Sequence, residues 1–201
     1  MSMHTLKTIP VTIVSIGIYA VIVLLHYIIF QETVFSDESL ILFGALDRQL
    51  VSEGQIWRLL TQGFSHMSTN HFFVNLPAIF IFSRFLERFY GSFKFFIFLV
   101  FTTISSGVFI FLFYEGSMPV SGSSGQGFGF LGICTFLTIR YFKRISTYDK
   151  LMMALILFIA FLITFIIPGV VISGHLGGFF GGILVAFIDS LFKQEKAQTT
   201  E

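Results

Sequence analysis

The chain has 201 residues, of which 55% are hydrophobic, 18% aromatic and only 11% charged, with 29 Phe and a mean hydropathy of +0.87. A soluble domain of this size cannot bury so much apolar surface and still present a charged exterior. A net charge of +1 leaves no electrostatic footprint for nucleic acid, so the composition is that of an integral membrane protein.

The first apolar run, VTIVSIGIYAVIVLLHYIIF at 11–30, crosses a hydrocarbon core of ~30 Å at ~1.5 Å rise per residue. It exceeds the apolar stretch of a signal peptide and no small-residue cleavage pattern follows, so it is expected to stay as a span. An outer loop at 31–65 comes next. Within it ESLILFGALDRQLVSEGQIWRLL carries apolar residues at helical spacing, the pattern of a segment lying on the membrane surface. Trp57, the only tryptophan, suits that interface with its half-polar ring.

Further spans are expected at 68–84, 93–114, 122–140, 151–167 and 169–190, punctuated by Gly91, by YEGSMPVSG and by Pro168-Gly169. The second span is the least apolar, because SHMSTNHFFVN places polar groups in its first half. The lone Cys134 has no intrachain disulfide partner and reads as a packing residue. The expected organisation is an all-α membrane protein. It comprises a cytoplasmic N-terminus at 1–10, one six-helix membrane domain over 11–192, and a polar cytoplasmic tail at 193–201, expected to be disordered.

Basic residues set the expected orientation. With six spans drawn, Lys7, Arg84, Arg88, Lys94, Arg140, Lys143, Arg144, Lys150, Lys193 and Lys196 fall on one side, ten of the twelve. The other side keeps Arg48 and Arg58 among Glu32, Asp37, Glu38, Asp47, Glu53 and Glu115. The positive-inside rule then places both termini in the cytoplasm.

Polar groups inside spans are costly, so each is a candidate site. His66, His71 and Asn75 enter the second span, the last two at i and i+4 on one helix face. Ser124 opens the fourth, and His175 lies about two turns into the sixth. Spans two, four and six run the same way, so all three clusters lie in the outer half of the bilayer. For Ser124 to reach the depth of His175, the GSMPVSG loop must dip into the protein, where backbone is shielded from lipid. Gly125, Gly129 and Gly132 form a smooth stripe on span four, and Gly174, Gly178 and Gly182 another on span six. Such stripes let membrane helices approach closely. Singly, each feature has a bland reading, as a packing glycine, a back-bonded serine or a satisfied histidine. Together they bring a serine and a histidine to one level.

That pair suits acyl transfer. His175 can take the proton of the Ser124 hydroxyl, the first turn of span four offers unpaired N–H groups to an oxyanion, and His71 and Asn75 can add side-chain donors. No acidic residue is placed to orient His175, since Asp189 lies some four turns further on. The set is therefore a dyad, with Phe128 placed to hold the histidine by aromatic contact.

These residues resemble the rhomboid intramembrane serine proteases, in their six-span bacterial form, over about 50–190. The likeness rests on five stretches in order. They are Trp57-Arg58; HMSTNHFFVN, with His66, His71 and Asn75; LERFYGSFKFF around Glu87 and Gly91; GSSGQGFGFLG, with Gly122, Ser124 and Gly125; and GHLGGFFGG, with His175, Gly178 and Gly182. The resemblance implies Ser124 as nucleophile and His175 as general base. It implies an oxyanion hole of His71, Asn75 and the Ser124 N–H. Gly122 would position the serine, Ser123 would fill a variable place, and Trp57, Arg58, His66 and Glu87 would be structural. Substrates would be transmembrane segments of other proteins, cut in a bacterial plasma membrane by a site open to the extracytoplasmic side, and no cofactor is implied. Many members carry Tyr where this chain has Phe128, which keeps the stacking and removes the hydroxyl.

Two rivals stand beside it. A non-catalytic protein that binds or escorts membrane helices would share the fold without needing Ser124 or His175. A metal-dependent protease or transporter using His66, His71 and His175 lacks a His-Glu-x-x-His motif.

Overall fold

The computed structural model describes residues 8–198, with side chains over 8–192. Its long helices are α1 (Pro10–Phe30), α5 (Thr69–Tyr90), α6 (Ser92–Phe113), α7 (Ser124–Arg140), α8 (Thr147–Ile166) and α9 (Ile172–Gln198). They stand where the six apolar stretches lie in the sequence. The outer loop folds into three short helices, α2 (Asp37–Leu42), α3 (Arg48–Ser52) and α4 (Arg58–Thr61). No strand occurs among the described residues, only two isolated bridges, Val34 with Ser68 and Leu46 with Val120.

Among the described residues, four helices are long and apolar enough to cross a membrane: α1, α6, α8 and the Ile172–Phe192 part of α9. Large apolar side chains lie open along their outer faces, such as Ile13, Leu24 and Ile28 on α1 and Leu151, Phe158 and Phe165 on α8. Facing water, that much apolar surface would be untenable; facing lipid, it is what the surroundings require. The chain is a membrane protein. α9 continues to Gln198, so helix takes the place of the disorder expected from Lys193 onward. Residues 199–201, and most of the N-terminal segment 1–10, lie outside the described residues.

Local sequence explains the helix starts. Ser68 accepts from the His71 N–H at 3.0 Å and opens α5; Ser146 accepts from the Asp149 N–H and opens α8; Asp47 does the same for α3 through Leu50. α1 has Pro10 at its first position and no cap of its own. Glu87, from α5, supplies one: its carboxylate accepts the Val11 N–H at 2.9 Å, the Thr12 N–H at 2.8 Å and the Thr12 hydroxyl at 2.6 Å. Gly91 takes φ +82° in the one-residue joint between α5 and α6, a conformation that disfavours any side chain.

α7 is the centre of the molecule. Phe130, Leu131, Gly132, Ile133 and Cys134 are buried in succession, which a helix permits only when neighbours surround it. The glycines set how near those neighbours come. A Cβ at Gly178 or Gly182 of α9 would strike the carbonyl oxygens of Gly125 and Gly129, and one at Gly132 would strike that of Phe179. The two stripes do not simply face one another, however. The Cα hydrogens of Gly125 and Gly129 point at Ser106 and Thr102 of α6, so the glycines draw three helices together.

Candidate active site

The segment before α7 does dip into the protein. Pro119 to Ser123 are all buried, and so much buried backbone must find partners. Val120 exchanges two hydrogen bonds of 2.8 Å with Leu46, and the Gly122 N–H donates to the Gln62 carbonyl at 2.9 Å. Ser123 has more than a variable role, contrary to the expectation for it. It is buried, and its Oγ lies 2.9 Å from His66 Nε2, tying the loop to the approach of α5. Ser124 is thus set at the first position of α7, where the N–H groups of the opening turn have no partner within the helix.

Two further helices converge on Ser124. α5 brings His71 and Asn75. The His71 ring lies against Gly122, where an added Cβ would come 2.7 Å from its Cε1. Asn75 Nδ2 donates to the His71 carbonyl at 3.0 Å, which uses one of its two amide protons and leaves the other. α9 brings His175 in its first turn, 8% exposed. Phe128, one turn after Ser124, stacks on its ring at 4.1 Å between centroids and 14° between planes. Ser124, His175, His71, Asn75 and Gly122 line one cavity of about 390 Å³. No hydrogen bond joins Ser124 to His175 among the described residues; the two share the cavity, and such contacts often close only with substrate bound.

Gly125 also lines this cavity, whereas Trp57, Arg58, His66, Glu87, Gly178 and Gly182 lie outside it. Arg58 is 7% exposed and donates to the carbonyls of Ile41 and Ala45 and to the Gln55 side chain, binding the outer-loop helices together. Trp57 precedes α4 and is 56% exposed. Glu87 caps α1, and Gly178 and Gly182 fix the α7–α9 distance. Cys134 is buried and free. Among the described residues, no three His, Cys, Asp or Glu side chains are grouped to hold a metal ion.

Some contributors escape a reading of the sequence. Gln62, Ser106 and Ser121 line the cavity, and the last two have buried hydroxyls without a protein partner. Thr164 of α8 lies 2.9 Å from His175 Nδ1 through its Oγ1. The signal for Thr164 was present: from Leu151 to Ile166 it is the only polar side chain.

Residues 53–192 match the Rhomboid domain family model. The chain belongs to the rhomboid family. It is 30% identical to Rhomboid protease GluP of Bacillus subtilis over 151 residues, 75% of this chain and 29% of that protein. Against Putative rhomboid protease YdcA of the same organism it is 28% identical over 138 residues, 69% of each chain. Rhomboid-like protease 3 of Toxoplasma gondii is 30% identical over 74% of this chain and 57% of its own length. The chain therefore spans under a third of GluP and about two thirds of YdcA. Rhomboid proteins are generally intramembrane serine proteases.

Proposed function

We propose that this rhomboid protein is an intramembrane serine endopeptidase that cuts transmembrane segments of other membrane proteins through a Ser124–His175 dyad. The observation that carries this is the single cavity onto which Ser124, His175, His71 and Asn75 all open, at the start of a central helix. Ser124 Oγ attacks the scissile carbonyl carbon and its proton passes to His175. The C–N bond breaks as that proton moves to the leaving amine. A water, deprotonated by the same ring nitrogen, then adds to the acyl-enzyme, releasing the carboxyl product and restoring Ser124. His71, the free Asn75 amide proton and the Ser124 N–H serve the oxyanion.

In this proposal α5 and α7 complete six spans, with both termini cytoplasmic and the cavity open to the extracytoplasmic side of a bacterial plasma membrane. Their lower hydropathy follows from the polar groups they carry to the cavity: α7 is enclosed, while α5 turns Phe73, Ile81 and Phe85 outward and His71 and Asn75 inward. At 17 residues, α7 is about 26 Å long, short for a span because the buried 119–123 segment occupies the rest of the depth.

Labelling of the detergent-purified protein with a fluorescent fluorophosphonate tests the dyad. The native chain is expected to label, Ser124→Ala not at all, and His175→Ala about 10²–10⁴-fold more slowly. A folded native protein that never labels would favour a helix-binding or escort role instead. Labelling that persists in Ser124→Ala would sink the site assignment.

A further inference from the structure

α8 is enclosed at one point only. Of its twenty residues, Thr164 alone is buried, at 1% exposure, while Phe158, Leu162, Ile163, Phe165 and Ile166 around it are open. What the helix inserts into the protein is thus a hydroxyl, and it inserts it beside His175.

Two partners lie within hydrogen-bond reach of that hydroxyl. Thr164 Oγ1 lies 2.8 Å from the Ala160 carbonyl oxygen and 2.9 Å from His175 Nδ1. A threonine has one hydroxyl proton and a carbonyl only accepts. With the proton given to Ala160, Oγ1 accepts from Nδ1–H. That is one tautomer of neutral imidazole, the one whose lone pair sits on Nε2. Phe128 stacks on the ring and holds its plane; Thr164 decides which nitrogen carries the proton and opposes a flip within that plane. A carboxylate in the same place would do likewise, but the described part of the chain places none there.

We propose that Thr164 is a positioning residue, which holds His175 in its Nδ1–H tautomer and so leaves Nε2 as the base for Ser124. Because it is the only buried group on α8, the seating of that helix and the readiness of the base are one event. Were α8 displaced, His175 would lose its Nδ1 acceptor. This rests on His175 being the base, as proposed above. The competing account is a bond that merely closes the α8–α9 turn, which would affect stability and leave the tautomer alone.

The test uses the whole chain in detergent with ¹⁵N-labelled histidine, His175 being assigned by comparison with His175→Ala. The native His175 is expected to show the Nδ1–H pattern. Thr164→Val, which keeps the shape and loses the acceptor, is expected to shift it toward Nε2–H; Thr164→Ser is expected to restore it. Fluorophosphonate labelling is expected to slow about tenfold or more in Thr164→Val and to recover within about threefold in Thr164→Ser. Thr164→Ala serves if the valine variant does not fold. An Nε2–H pattern in the native protein, or a tautomer and labelling rate indifferent to both acceptor-less variants, overturns the positioning role alone. A native protein that never labels, even with a Thr164-dependent tautomer, overturns the hydrolase proposal, and the positioning role with it.

Discussion

His66 is fully buried with one ring nitrogen on Ser123 and the other without a partner. Burial, reinforced by the neighbouring His71 and His26, pushes its pKa down to about 3. The unfolded chain therefore binds a proton at this site below about pH 6.5 that the folded chain refuses. Stability from His66 is complete above that value and is lost as pH falls toward 3, by about 1.4 kcal/mol per unit at most. Thermal melts of the detergent-solubilised protein between pH 7 and pH 4 are expected to fall less steeply in His66→Gln than in the native chain. An equal slope would show that another group governs acid unfolding. Ser123→Ala removes the tie between the loop and the segment leading into α5, and is expected to cost about 1–3 kcal/mol, with Ser124 labelling slowed because the loop that seats Ser124 is loosened. Melting temperature and labelling rate, measured together, check it.

At the scale of the helix, the contrast between glycines is the sharpest lesson. Gly178→Val drives a branched side chain into the Gly125 carbonyl and is expected to destabilise the protein by about 1–3 kcal/mol or more. Gly17→Ala, on a face of α1 where a Cβ meets nothing within 4 Å, is expected to leave the melting temperature nearly unchanged. Equal effects would mean that the α7–α9 contact is less tight than described. α1 depends on a residue far away in sequence. Glu87→Ala leaves the Val11 and Thr12 N–H groups without their acceptor, with an expected cost of about 1–2 kcal/mol. That cost should appear in urea or thermal unfolding, and amide exchange at the start of α1 should rise most.

Across the whole molecule, the asymmetry of Lys and Arg is the basis for orientation. Cys134 is buried, so introduced cysteines report against a quiet background. In intact cells, Ser117→Cys is expected to react with a membrane-impermeant maleimide, and Tyr148→Cys only after permeabilisation. The reverse pattern would invert the proposed topology and turn the cavity toward the cytoplasm.

Membrane character, the places of the long helices and the polar groups that a span must justify were all legible in the sequence. Each follows from local chemistry: unbroken apolar runs, glycine and proline punctuation, and the cost of a histidine or serine in hydrocarbon. The stacking partner of His175 was legible too, because Phe128 stands one turn from Ser124 on the same helix. Long-range pairings were not. That Glu87 caps α1, that Ser123 holds His66, that the glycines of α7 face α6 as well as α9, and that Thr164 meets His175 all depend on which helix faces are turned together. A helix can rotate about its axis without changing its periodicity, so sequence leaves that rotation open. Tertiary packing closes it, because the rotation of each helix is set by where glycine meets carbonyl and where Glu87, Ser123 and Thr164 reach their partners.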